Sequence, residues 1–330
     1  MDHGLPDDYT VRVALALAVR APSVHNSQPW RWRVGARSIH LYVDPDLRLR
    51  ETDPDGHDLM LSCGAALHHL RVAFAALGWS TTVRRLPNAA EPGHLASVEL
   101  HRHEPTHDEI ALAAAIPRRR TDRRRYSSWP VPRGRLAELT ERVAAEGAAL
   151  TAVVEPRARH DLIDAIGDAA RVHAADAAYQ VELVAWSGRH ASTDGVPAAN
   201  APAADPLGEV TMRRFSDPRL RQPSGSADEP DESVLLVIAT ASDDRLSRLR
   251  AGEATSAALL TATELGLAAC PLTEPLNLRD TRARVAERVL GGGSCPQMVL
   301  KIGWAGVNAD PLPATPRRPL DEVVHGLTAI

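Results

Sequence analysis

Within ten residues, Ala21-Pro22-Ser23-Val24-His25-Asn26-Ser27-Gln28-Pro29-Trp30, the chain sets a hydroxyl at Ser23 and two carboxamides at Asn26 and Gln28. Hydroxyls and carboxamides both donate and accept hydrogen bonds, and Pro22 and Pro29 stiffen the turn that carries them. Such a group suits a flat heterocycle with several carbonyls and ring nitrogens, of which a flavin is one. The same side chains also serve to satisfy the backbone of a turn, so taken alone they leave both uses open.

A second chemical feature is the run Arg118-Arg119-Arg120-Thr121-Asp122-Arg123-Arg124-Arg125-Tyr126. Guanidinium forks grip phosphate oxygens with paired, charge-assisted bonds. Thr121 adds a hydroxyl, and a helix start after the run adds backbone N–H groups. A solvated basic loop or a nucleic-acid patch is the competing reading of such a run. Other chemistries lack a signature. No GxSxG, Walker or GxGxxG pattern occurs. His68 and His69, or His101 and His103, have no acidic pair nearby to complete a metal site.

The bulk properties restrict partners. The chain has 330 residues, 44% of them hydrophobic and only 4% aromatic, with a net charge of −4. That composition is ordinary for a globular chain, and the charge gives no global attraction to nucleic acid or anionic lipid. Lys301 is the single lysine. Cys63, Cys270 and Cys295 are far apart and form no CxxC pair, which suits a reducing cytoplasm. Residues 1–8 lack the basic and apolar regions of a signal peptide, and no apolar run approaches the roughly 18 residues of a membrane span.

Two stretches repeat. Gly64 to Gly78 matches Gly252 to Gly266, each an Ala-rich helix ending in Leu-Gly, at an offset of 188 residues. Trp30–Val34 matches Leu150–Val154 at an offset of 120. Strand-like runs flank both helices: Ile39–Val43 and Ser97–His101 in the first half, Val234–Ala239 and Gln297–Trp304 in the second. The halves read as two copies of one α+β unit. The difference between the offsets leaves 68 extra residues in the second half. Their first part, Leu162 to Trp186, has helical spacing. The rest, to Pro230, is rich in Ala, Pro, Gly, Ser and Asp, and reads as a site cover or a surface linker.

The segment Ala21–Trp30 closely resembles the APSxxNxQPW motif of the nitroreductase superfamily. Arg119–Arg125 followed by Pro130-Val131-Pro132 resembles that family's RRSxRxF…PVP start. Ordinary members are similar homodimers with FMN at the subunit interface, each site drawing on both subunits. Here each motif occurs once: the first half lacks the arginine cluster, and the second has Ala144-Ala145-Glu146-Gly147 where its polar turn belongs. The pattern most resembles the Acg family of tandem nitroreductase-like flavoproteins. Asp53-Pro54-Asp55-Gly56, Ser62–Leu70, Asp194-Gly195-Val196-Pro197 and Thr315–Leu320 agree with it.

That resemblance implies an α+β fold of two fused units forming a pseudo-dimer, residues 1–117 and 118–330, with an inserted lid-like segment at about 187–230. It implies one composite FMN site and a second, dead one. Pro22, Ser23, Asn26 and Gln28 are expected at the flavin ring and ribityl chain. Arg119, Arg120, Thr121 and Arg123 are expected at the phosphate, Arg123 also near N1 and O2 of the ring. Pro271, Leu272 and Thr273 are expected along the ring face, and Arg317 or Arg318 at the phosphate unless they form a surface ion pair. No side chain is needed as a nucleophile, and no metal is expected. The implied activity is hydride transfer from NAD(P)H through FMN to a small electrophile such as a nitroaromatic or quinone. The alternative is an FMN-storing protein whose inserted segment shields the ring. A monomer or weak homodimer in the cytoplasm, without nucleic-acid or membrane partners, completes the expectation.

Overall fold

The computed structural model describes residues 6–189, 192–226 and 229–326. The first half runs α1 (Asp8–Ala18), β1 (Trp30–Val34), β2 (Ser38–Val43), α2 (His57–Ala76), β3 (Trp79–Arg85), β4 (His94–Arg102) and α3 (His107–Ala115). The second continues with α4 (Arg133–Ala145), β5 (Ala149–Ala152), α5 (Pro156–Ala175), α6 (Ala177–Ala185), β6 (Ser187–Arg189), β7 (Val196–Pro197) and β8 (Val234–Thr240). It ends with α7 (Arg245–Glu264), β9 (Ala268–Leu272), α8 (Glu274–Asn277), α9 (Arg279–Arg284), β10 (Cys295–Gly303), α10 (Leu320–Val323) and β11 (Val324–Gly326). The fold is mixed α+β.

Local chemistry sets the helix ends. Asp7 caps α1 by accepting from the Thr10 amide at 2.9 Å. Thr106 and Glu109 form a reciprocal capping box at the start of α3. The helical stretch expected from Leu162 to Trp186 is instead two helices. Asp176 stops α5 and caps α6, accepting from the Ala178 and Tyr179 amides.

Among the described residues the strands form two main sheets, and β6 pairs with β7 in a small parallel third. One has the order β11-β1-β2-β4-β3 and the other β5-β8-β10-β9. Leaving β11 aside, both follow the same order: first, second, fourth, third strand. All of these neighbours are antiparallel. The exception to a division at residue 118 is β11, which lies parallel to β1 with Trp32 opposite Val324. The late chain thus returns to finish the edge of the first sheet.

Helices α2 and α7 cross between the sheets. Nearly every residue of α2 is buried, because Ala, Gly, Ser and Cys on its flanks let neighbours approach from all sides. By length and composition α2 could span a membrane, which the sequence reading did not foresee; its apolar faces are instead covered inside the fold. At the crossing, a Cβ on Gly64 would overlap the Leu249 carbonyl oxygen, and one on Gly252 would overlap that of Leu61. Only glycine permits this approach. One turn further along, His68 Nδ1 and Ser256 Oγ meet at 2.8 Å. Both pairs are residues 188 apart in sequence.

Beside the crossing, Glu253 is fully buried and accepts from Arg85 at 2.6 and 2.9 Å and from Arg71 at 2.9 Å. Arg71 also donates to Glu146 at 2.5 Å. Trp30 and Trp32 are fully buried in the first core with Ile39, Leu41, Leu67 and Phe74. Tyr179 and Leu183 of α6 share a small core with Val196, Ala201 and Phe215 of the segment that follows.

Candidate cofactor site

The turn after α1 is conformationally strained. His25, Asn26 and Gln28, none of them glycine, have φ of 48°, 55° and 54°. Residues of this kind cost energy in the left-handed region and persist where surrounding contacts hold them, most often at functional sites. Ser62 of α2 is one such contact: its Oγ accepts from the Val24 amide at 3.2 Å. Ser23 Oγ accepts from the Gln28 amide at 3.0 Å.

This turn forms one wall of a cavity between the two halves. Pro22, Ser23 and His25 meet Thr121 and Arg123 from the arginine run, and Pro271, Leu272 and Thr273 from the end of β9. Pro271 sits inside β9, opposite Leu300, on the sheet's outer strand. An edge strand tolerates the missing N–H. Arg123 donates to the Asn200 carbonyl at 3.1 Å and stacks on Phe215, 4.8 Å from the ring centroid. Cys270 is buried, and burial pushes its thiol up to about 11. That is the inert behaviour expected of a small core residue.

Arg119 and Arg120, just before Thr121, close a second pocket with Arg20, Thr315 and Arg317. Among the described residues no carboxylate pairs with any of its four guanidinium groups. Arg119 is buried, and its Nε and Nη1 have no hydrogen-bond partner. Its pKa is held down to about 10, first by burial and then by Arg120, Arg20 and Arg123. Burial, then Arg119, Arg20 and Arg120, bring Arg317 to about 9. Arg317 is fixed by carbonyls instead: it donates to Val19, Arg20 and Ala21 at the end of α1, at 2.9 to 3.1 Å. A cluster of like charges, one buried and three half-buried, without counter-charge is unfavourable on its own and suits an anion.

Three residues expected at the ring or the phosphate have protein partners. Asn26 donates its amide to the carbonyls of Gly195 and Pro316, both at 3.1 Å. Gln28 donates to Thr193 at 2.9 Å and accepts from the Arg318 amide at 2.9 Å. These carboxamides therefore hold the inserted segment and the 316–318 strap, and line neither pocket. The left-handed backbone at both residues is what aims them there. The Arg318 guanidinium faces Glu322 at 3.2 Å and Asp44 at 3.7 Å, away from the cluster. It is half-buried, between the exposed Glu322 and the buried Asp44.

Sequence reasoning passed over several residues of this site. His25 stands inside the quoted motif, and Arg20 directly precedes it. Thr211, Met212, Arg213 and Phe215 of the insertion line the cavity; the Arg213-Arg214 pair was the available signal. Asp58 on the cavity wall is held in its ionised form, at about 2 despite burial, by His57 and Asn277. Burial, then Arg213, keeps His25 well below the usual histidine range, so the ring facing the cavity is neutral. No group of His, Cys, Asp and Glu suited to a metal occurs among the described residues.

No protein-family model matches the chain. The Mycobacterium tuberculosis protein named "Putative NAD(P)H nitroreductase Rv3131" is 51% identical over 325 residues, 98% of this chain and 94% of that one. The protein of the same organism named "Putative NAD(P)H nitroreductase acg" is 36% identical over 96% of this chain and 95% of that one. Among solved structures, the FMN and NADPH-dependent nitroreductase NfnB from Sphigopyxis sp. strain HMH is 20% identical, covering 65% of this chain and 97% of that one with a TM-score of 0.39. Identity at the level of the two mycobacterial proteins, over almost the whole length, establishes kinship: the chain belongs to the nitroreductase superfamily, on its Acg-like branch.

Proposed function

We propose that this chain is a tandem pair of nitroreductase-like units sharing one FMN site, and that it works as an NAD(P)H-dependent oxidoreductase. The carrying observation is the pocket of Arg20, Arg119, Arg120 and Arg317, four guanidinium groups without a carboxylate. A dianionic phosphate suits it, and the partnerless Nε and Nη1 of Arg119 are the donors such a group needs. The equal strand orders of the two sheets and the paired glycines at the helix crossing support the tandem reading.

In this reading Arg20, Arg119, Arg120 and Arg317 hold the phosphate. Thr121 follows it toward the cavity, where Pro22, Ser23, Pro271, Leu272 and Thr273 flank the ring. Bound there, FMN would supply hydride-transfer chemistry between NAD(P)H and an electrophile such as a nitroaromatic or a quinone. Arg123 places a permanent positive charge on the cavity wall, which favours a ring carrying extra negative charge. Asn26 and Gln28 act at one remove, by fastening the insertion over the site. Such a fused interface supports a monomer or weak homodimer, and three free cysteines suit the cytoplasm.

The visible spectrum of the purified protein is the first test. One FMN per chain, held more weakly by Arg119→Ala, is expected; a colourless protein that takes up no added FMN overturns the reading. A second reading, FMN storage with little turnover, has its own observation. The cavity is narrow, about 110 Å³, and Thr211, Met212, Arg213 and Phe215 of the insertion wall it in. Anaerobic mixing with NADH or NADPH separates the two: rapid bleaching of the flavin band supports the oxidoreductase, and an unchanged band supports storage.

A further inference from the structure

Beneath the insertion lies another cavity of about 260 Å³ that the site above does not use. It shares Arg123, Thr211, Met212 and Arg213 with the main cavity. It shares residues 203–206 and Gln222 with a wider opening between segments 203–206 and 218–222. Three spaces therefore adjoin in series, from the narrow main cavity outward through the inserted segment.

The middle space is basic. Six cations, Arg123, Arg124, Arg125, Arg213, Arg214 and Lys301, stand against three carboxylates, Asp205, Glu209 and Asp231. The carboxylates are already engaged: Asp231 by Lys301 at 2.7 Å, Asp205 by Arg125 at 3.6 Å, and Glu209 by Arg159 at 2.5 Å. Arg124 is matched by Asp122. Arg213 is only loosely matched, 3.8 Å from a Glu274 oxygen that also accepts from His173 at 3.0 Å. Arg123 and Arg214 have no carboxylate among the described residues. The Nε atoms of Arg125 and Arg213 are buried without a hydrogen-bond partner. This excess of positive charge attracts anions, and because part of the lining, Arg214 included, is exposed, salt weakens the attraction.

The neighbouring main cavity differs in character, with Leu61, Ile166, Met212, Phe215, Leu272 and Met298 on its walls. A narrow, mostly apolar slot, with Asp58, Arg123, Arg213 and Glu274 among its polar wall residues, opening into a basic chamber and then into a wide mouth, matches an elongated ligand with a flat ring at one end and phosphates along its middle. We propose that the middle cavity receives the phosphate-bearing tail of the reduced nicotinamide dinucleotide, with the nicotinamide end directed into the main cavity. This rests on the oxidoreductase reading, and makes the insertion a docking channel for the electron donor as well as a cover.

The test uses tail fragments that carry no nicotinamide, so it runs on protein stripped of flavin. Calorimetric titration with ADP, with its 2′-phosphate analogue and with inorganic pyrophosphate reads the chamber directly. ADP binding that weakens as potassium chloride is raised is expected. Arg214 is exposed and makes no hydrogen bond or ion pair among the described residues, so Arg214→Glu leaves the fold intact. It is expected to weaken ADP about tenfold or more, while Arg37→Glu, a like charge change in the turn between β1 and β2, has no effect. In the flavin-loaded enzyme the same variant raises the KM for NAD(P)H and leaves kcat unchanged. Tighter binding of the 2′-phosphate analogue assigns the chamber to NADPH, and equal binding to either donor. No ADP binding, or equal affinity in Arg214→Glu, overturns the proposal, as does pyrophosphate binding as tightly as ADP. Normal FMN loading alongside those results sinks the chamber alone; failure to load FMN sinks the oxidoreductase reading itself.

Discussion

Ala65 and Thr273 line the cavity, and Asn26 belongs to the turn that walls it. The repeat offsets carry Ala65 to Glu253, Thr273 to Arg85 and Asn26 to Glu146. Those three counterparts meet as well, with Arg71 among them, in a buried ion cluster. One cleft therefore keeps small residues and unpaired guanidinium groups beside it. The other has two carboxylates and two guanidiniums filling each other's needs. On the proposed tandem reading, the contrast teaches how a second copy of a cleft is closed: complementary charges inside the protein fill the place that a ligand takes in the other.

Removing one partner from the filled cleft tests this most severely. Glu253→Ala leaves Arg71 and Arg85 facing each other over a buried gap, and we expect a loss of about 3–5 kcal/mol in chemical unfolding. Flavin content per folded chain should not change. A near-neutral result erases the claimed difference between the clefts. On the open side the same kind of truncation should act in reverse. Arg119→Ala relieves like-charge crowding, so the midpoint of the ligand-free protein stays level or rises. FMN affinity falls by about 1.5–3 kcal/mol, or roughly ten- to a hundredfold. Fluorescence titration with FMN measures this, and equal affinity breaks the comparison from the other end.

Acid should reach the filled cleft through His68. Burial holds its pKa down to about 4, with Glu146 opposing and Arg71 assisting. A histidine depressed in the folded state binds more protons when unfolded, so stability is intact above about pH 6.5 and declines toward pH 4. Between pH 7 and pH 5 the difference is about 2 kcal/mol. His68→Gln should flatten that part of the stability profile; taking wild type minus variant cancels the opposing titration of Asp53, which burial and Asp58 raise to about 7. Parallel profiles for the two proteins contradict the assignment. The smallest effect is expected at the fastening of the insertion. Asn26→Ser and Gln28→Ser each remove amide bonds to residues 193–195, worth about 1 kcal/mol. Limited proteolysis should cut residues 187–230 faster in the pair of variants while FMN binding changes little. Loss of FMN without faster cutting returns these side chains to the ring.

The sequence announced the strong periodic elements. Helices around Gly64 and Gly252, their flanking strands and their common offset are all present, because alternation and small-residue helices are local signals. The arginine run was also legible, since its charges are consecutive. What escaped depends on direction or distance. Asn26 and Gln28 have the right chemistry for a heterocycle, but three left-handed residues in one turn swing their amides toward the insertion, and spacing does not report φ. Arg20 is a single charge among apolar residues and gains meaning only beside Arg119. The cluster of Arg71, Glu146 and Glu253 joins residues 75 and 182 apart, each of which reads as surface charge by itself.

The late return of β11 to the first sheet bears on how the molecule is made. A nascent chain has β1 through β4 in hand after about a third of its synthesis, yet β1 keeps a bare hydrogen-bonding edge until Val324–Gly326 arrives. Bare edges recruit other strands. Emerging polypeptide is thus most prone to mispair during the middle of translation, and a fragment ending before α10 should precipitate where a slightly longer one stays dispersed.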